Sequence, residues 1–144
     1  MDNFSFAVTV KSYAENLDEF GLVESVESDV STEPCELSVS GDFITVAYKT
    51  KSEGGAVETE ISVGKSIVKL TRRGAIRSVM EFSLGEPTKT LYEIPPYSFD
   101  AEIDTRKINS SLGAGGGTVE LLYYLTIGGA KKKMRLSLTV VPSA

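Results

Sequence analysis

Residues 119–140 read VELLYYLTIGGAKKKMRLSLTV. Val119, Leu121, Tyr123, Leu125 and Ile127 take alternate positions, with Glu120, Leu122, Tyr124 and Thr126 between them. After Gly128-Gly129 the alternation resumes, with Met134, Leu136, Leu138 and Val140 set against Arg135, Ser137 and Thr139. Successive side chains of a strand point to opposite faces, so a period of two sends one set into a core and the other toward water. Glycine supplies the positive φ that a tight hairpin loop requires. The two runs therefore read as an antiparallel hairpin with one buried face.

Working outward, the same period recurs in Ile44, Val46 and Tyr48, in Ile61 and Val63, in Val68, Leu70 and Arg72, in Ile76, Met80 and Phe82, and in Phe99, Ala101 and Ile103. A first strand is read over Phe6 to Ser12 and another over residues 22–30. Gly54-Gly55, Gly64-Lys65 and Arg73-Gly74 supply hairpin turns, while Gly85-Glu86-Pro87 and Pro95-Pro96 break the pattern, since proline cannot donate to a central ladder. One segment has a helical spacing: Ser12, Tyr13, Ala14 and Glu15 have the form of a capping box, Tyr13, Leu17 and Phe20 recur at helical intervals, and Gly21 stands where a C-terminal cap would. A short helix near residues 13–20 and an acidic loop are both open there. Short strands at even spacing without intervening helices indicate an all-β antiparallel meander, closed as a barrel or stacked as a sandwich, in one domain over residues 1–144.

Composition removes whole classes of chemistry. The 144 residues include no histidine and no tryptophan, so no Ser-His-Asp or Cys-His machinery and no His-ligated metal site can be built. Cys35 is the single cysteine, which rules out an intramolecular disulfide and fits a reducing compartment. Met1-Asp2-Asn3-Phe4 lacks a basic leader and no run of apolar residues is long enough for a membrane helix, so a cytoplasmic protein without membrane contact is expected. The charge is uneven: residues 1–60 carry 13 acids and 3 bases, residues 61–144 carry 7 acids and 12 bases, and the net is −5. Pairing between neighbouring strands accounts for this unevenness, and a pI near 4.8 argues against a nucleic-acid partner.

The stretch Tyr48 to Val141 carries a resemblance as well. Ser66 through Gly74, then Met80, Phe82, Gly85, Tyr92, Thr105 and the strand Val119 to Tyr123 make it similar to a family of small bacterial proteins of unknown function typified by YwiB. With the strand Phe6 to Ser12 the similarity spans nearly the whole chain, and Pro95 to Ser98 departs from the family pattern. The resemblance implies a calycin-like, lipocalin-like β-barrel and brings no activity or cofactor with it. A barrel of about eight strands is then expected, wide enough to be filled by side chains or to hold one small molecule. The Gly-x-Trp signature of classical lipocalins is absent, for want of tryptophan.

Several groups are candidates for chemistry. Gly113 to Gly117 has the composition of a phosphate cradle but leads into a strand rather than a helix, so it reads as a strand connection. Asp100, Glu102 and Asp104 share a strand face, and with Ala101 and Ile103 in the core they face water, within reach of bases such as Arg77 or Lys89. Lys131, Lys132, Lys133, Arg135, Arg73 and Arg77 lie at or near turns and guard strand edges. Arg72 differs. It shares a face with Val68 and Leu70, so its guanidinium points into the barrel near a rim and needs a partner: an acid, tyrosine hydroxyls or a bound anion. Tyr48 and Tyr123 also fall on inward faces, and together with Tyr92 and Arg72 they form the candidate ligand site at the barrel mouth.

The leading expectation is a non-enzymatic barrel that binds a small anionic or amphipathic ligand, or a protein partner, at that mouth, with no metal or cofactor. Two rivals stay open. One is an enzyme on a phosphorylated or carboxylated metabolite, with Arg72 holding the anion and an acid of the Asp100 to Asp104 strand as base. The other is a homodimer formed through an exposed edge or apolar face.

Overall fold

The computed structural model describes residues 6–143; the N-terminal residues Met1 to Phe4 read above lie outside it. Ten strands follow one another: β1 (Phe6–Leu17), β2 (Val23–Ser40), β3 (Phe43–Ser52), β4 (Gly55–Val63), β5 (Ile67–Gly74), β6 (Ser78–Ser83), β7 (Thr88–Ile94), β8 (Tyr97–Ser110), β9 (Gly117–Ile127) and β10 (Ala130–Pro142). They form one sheet in the order β6-β5-β4-β3-β2-β1-β10-β9-β8-β7. Every ladder in it is antiparallel. The only step in this order between strands not adjacent in the chain joins β1 to β10.

The sheet closes into a nearly complete ten-stranded barrel of calycin-like, lipocalin-like fold. Its two end strands meet at a seam without a continuous ladder: Arg77 and Glu93 exchange backbone hydrogen bonds of 2.9 and 2.8 Å, and Leu84 bridges Thr105. The β9–β10 hairpin forms where the alternation places it, with Ile127 opposite Ala130 and Val119 opposite Leu138. Arg73-Gly74 ends β5 as expected. Gly74 has φ near 107°, and a Cβ there would run into the Ala56 carbonyl oxygen, so only glycine fits.

Three expectations are corrected. The strands number ten rather than about eight: each of the nine runs read from the alternation contributes a strand, and Thr88–Ile94 adds a tenth, paired with β8. Residues 13–20 are not helical: Tyr13 to Leu17 continue β1, opposite both β2 and β10. The turn that follows is organised by Asp18, whose Oδ1 accepts hydrogen bonds from the amides of Phe20 and Leu22, both at 2.9 Å, while Gly21 adopts φ near 81°. An aspartate bonding its own following backbone is a turn device that helical spacing cannot distinguish from a cap. Finally, Phe99 is not a core residue beside Ala101 and Ile103; it stays 39% exposed at the end of the barrel.

The second strand begins near residue 22 as read, but β2 is 18 residues long. Only Cys35 to Ser40 pairs with β3; Val23 to Pro34 is paired on the β1 side alone, and Val23, Val26 and Val30 are exposed there. Among the described residues no helix is long and apolar enough to cross a membrane.

Candidate functional site

Inside the barrel the side chains of β3 to β6 stack in rows, because residues paired across an antiparallel ladder share a face. One row is Ile44, Val63, Val68 and Phe82. The next is Val46, Ile61, Leu70 and Met80. The third, at the barrel mouth, is Tyr48, Thr59, Arg72 and Ser78. Two aliphatic and aromatic rows thus give way to a polar one across four strands at once. From the facing wall β9 supplies Leu121 at the depth of the core and then Tyr123, whose ring meets Phe82 edge-on with centroids 4.7 Å apart.

Arg72, Tyr92 and Tyr123 line one cleft at this mouth, with a volume of about 480 Å³. Its remaining wall is Met80, Ile94, Phe99, Leu125, Ile127 and Met134, and Lys132 stands on the same inward face as Met134. Three of the four residues expected at the mouth are therefore brought together. Tyr48 is not: it is buried in the same row as Arg72, two strands away, and borders a separate groove with Pro34, Glu36 and Glu58. Its phenol is nonetheless within the field of the guanidinium. Burial raises the Tyr48 pKa, against which the Arg72 charge and the Thr59 hydroxyl pull it down and Glu33 adds a small push upward. Tyr123 is pushed up to about 12, again by burial first, with Arg72 lowering and Tyr92 raising it. Both phenols are therefore neutral donors at ordinary pH.

Arg72 points inward, as the alternation requires, and is half-buried. Its Nη1 donates to the Tyr92 hydroxyl at 3.5 Å, the outer limit of a hydrogen bond. The guanidinium has five N–H donors. Among the described residues no carboxylate lies within 4.0 Å of it, although other cations are matched, as in Arg106 with Asp104 at 2.9 Å and Arg73 with Glu60 at 3.4 Å. Directly across the ladder from Arg72, the Ser78 hydroxyl is buried and has no hydrogen-bond partner among the described residues. Thr105, opposite Tyr123, carries a second such hydroxyl deeper in the barrel. Sequence reading missed Ser78, yet it stands two residues before Met80 and four before Phe82, on the face already assigned to the core.

The other candidates fall where the simpler reading put them. Asp100 and Glu102 are exposed on the outer face of β8, the opposite side of the wall from Ala101 and Ile103, and Asp104 pairs with Arg106 rather than Arg77 or Lys89. These acids and Arg72 do not share a face of the barrel wall, so the pairing of Arg72 with an acid of this strand is not assembled. Gly113 to Gly116 closes a turn through a 2.9 Å backbone hydrogen bond and leads into β9. Among the described residues no group of three or more His, Cys, Asp or Glu could hold a metal. Cys35, at the same level as Tyr48, is buried, and burial raises its thiol pKa.

This architecture has a counterpart among solved structures. The ywiB protein from Bacillus subtilis, in its crystal structure, superposes with a TM-score of 0.77 at 20% identity, over 96% of this chain and 92% of that one. At that identity the likeness establishes the fold. Among curated proteins none matches. Residues 22–138, from the exposed arm of β2 to the core of β10, match the family described as a domain of unknown function, DUF1934, and the chain is a member of that family.

Proposed function

We propose that this protein is a non-enzymatic binding barrel whose mouth cleft takes a small anionic, amphipathic ligand. The carrying observation is Arg72: an inward-facing, half-buried cation with one long hydrogen bond to the Tyr92 hydroxyl and no carboxylate partner among the described residues. A guanidinium removed from water without a matching charge is costly, and an anion delivered from solution offsets that cost. The apolar wall of the cleft then shelters the rest of the ligand, as small-molecule sites generally combine a few placed polar groups with an apolar lining. Tyr92 and Tyr123 supply hydroxyl groups, and Lys132 adds positive field at the rim.

The test uses anilinonaphthalene sulfonate, a fluorescent amphipathic anion. Saturable fluorescence enhancement is expected with the wild-type protein. Arg72→Gln, checked for an unchanged circular dichroism spectrum, should bind at least about tenfold more weakly, since a charge-assisted hydrogen bond contributes roughly 1.5–3 kcal/mol. Equal affinity of the variant, or no saturable binding by the wild type, would count against the reading.

A further inference from the structure

The geometry points to a compact aryl monocarboxylate as the ligand class of this cleft, with its carboxylate on the Arg72 fork and its ring against Tyr92, Phe99 and the two methionines. This deepens the proposed function and rests on it.

The length of the ligand is limited from below. The rows beneath the mouth are closed by Phe82, Leu70, Ile61 and Leu121, all at most 2% exposed, so the barrel has a floor rather than a tunnel. A long alkyl chain laid into the cleft would have to project back into water. The shape of the body follows from the walls. Tyr92 and Phe99 are directly paired across β7 and β8 and both border the cleft, with Tyr123 on the adjoining β9. Aromatic side chains favour offset or edge contacts with another ring, and Met80 and Met134 add polarisable sulfur that suits a ring edge.

The head group follows from the donors. The Arg72 fork presents coplanar N–H groups that match the two oxygens of a carboxylate. Ser78, opposite Arg72 in register, is buried and borders the neighbouring groove with Thr90 and Glu93, so within the cleft the head group meets Arg72 with the Tyr92 hydroxyl beside it. A carboxylate conjugated to a ring lies flat with it, so the head can meet the fork while the ring lies along the wall. A phosphate monoester carries about −1.5 to −2 charges at neutral pH. One half-buried guanidinium neutralises a single charge, while Lys132 at the rim is a flexible, strongly hydrated ammonium better suited to drawing an anion in than to pairing with it at depth.

The experiment is a titration with four probes, naphthoate, naphthyl phosphate, naphthol and decanoate. Binding is followed through the carbon-13 methyl resonances of Met80 and Met134 in the full-length protein. Naphthoate should bind most tightly and move both methyl signals by ring current, with each of the other probes about tenfold or more weaker. Arg72→Gln should weaken naphthoate about tenfold, with the naphthol affinity little changed. Naphthyl phosphate binding as tightly as naphthoate would overturn the carboxylate assignment, and decanoate matching it would overturn the aryl body, in both cases leaving the anion site intact provided Arg72→Gln weakens the tighter probe. Absence of any Arg72-dependent binding among the three anions would overturn the site itself.

Discussion

The floor of the barrel and its mouth are built by the same strands and obey opposite rules. In the rows of Val68 and Leu70 every inward side chain is apolar, and all but the partly buried Ile44 belong to the core. One row nearer the mouth, Tyr48, Thr59, Arg72 and Ser78 face the same interior, with a cation that has no carboxylate partner and a hydroxyl that has no hydrogen-bond partner among the described residues. Nothing in strand geometry requires the change, because the alternation runs through both rows without a break. The floor therefore accounts for stability, and the mouth carries polar groups that stability alone would not select.

The largest effect should come from damaging the floor. Phe82 is fully buried and packs edge-on against Tyr123, so Phe82→Ala should cost roughly 3–5 kcal/mol in urea denaturation. Domains of ordinary stability have about 5–15 kcal/mol in all, so this variant would sit near the edge of folding. A loss under about 1 kcal/mol would mean that the floor is loosely packed, and the contrast with the mouth would weaken.

The Tyr123 hydroxyl makes the boundary between the two regions measurable by pH. Its folded pKa is raised from 10.0 to about 12. Below pH 10 the phenol is neutral in both folded and unfolded chains and stability does not depend on it. Above that the unfolded phenol ionises while the folded one holds its proton, so stability falls as pH rises through about 12, by roughly 2–3 kcal/mol in total. Tyr123→Phe should remove most of this alkaline slope, which denaturation midpoints between those limits would reveal.

Arg72 should separate stability from binding. Arg72→Met keeps an unbranched side chain of similar reach and deletes the unmatched charge, so the folded protein should gain about 1 kcal/mol while losing affinity for anions. Thermal melting beside a ligand titration checks both. A variant less stable than wild type would show that the guanidinium is satisfied within the protein and that the mouth follows the same rule as the floor.

Much of this contrast was legible in the alternation. Val68, Leu70 and Arg72 share a parity, so the inward direction of Arg72 could be read directly, as could that of Tyr123 between Leu121 and Leu125. Parity assigns a face but not a position around the barrel, and for that reason Tyr48 was grouped with a cleft it does not line. β7 escaped because it is seven residues long, bounded by Pro87 and Pro95, and carries the exposed Leu91 on its outer face, where a half-buried strand would show a polar residue. The helical spacing of Tyr13, Leu17 and Phe20 misled because Tyr13 and Leu17 lie on the outer face of β1, opposite the inward Val8 and Ala14, and Phe20 stands in the turn after it, with Tyr13 and Phe20 exposed. Ser78 was overlooked because attention to apolar positions passes over a small hydroxyl that keeps their parity.

The finest test compares two hydroxyls of the polar row. Thr59 and Ser78 flank Arg72 on its two ladder neighbours, and both are buried. Thr59 supports the Tyr48 phenol through a hydrogen bond, whereas Ser78 has no partner among the described residues. Thr59→Val should therefore cost about 1 kcal/mol, the net contribution of one hydrogen bond plus the cost of leaving the phenol short of a partner. Ser78→Ala deletes only an unsatisfied group, and should be neutral or stabilising by a few tenths of a kcal/mol. Opposite signs for two such similar changes would show that Ser78 is retained for something other than the free protein's stability. Equal losses, measured side by side in urea, would show that its hydroxyl already has a use inside the fold, and Arg72 would then stand alone as the polar anchor of the mouth.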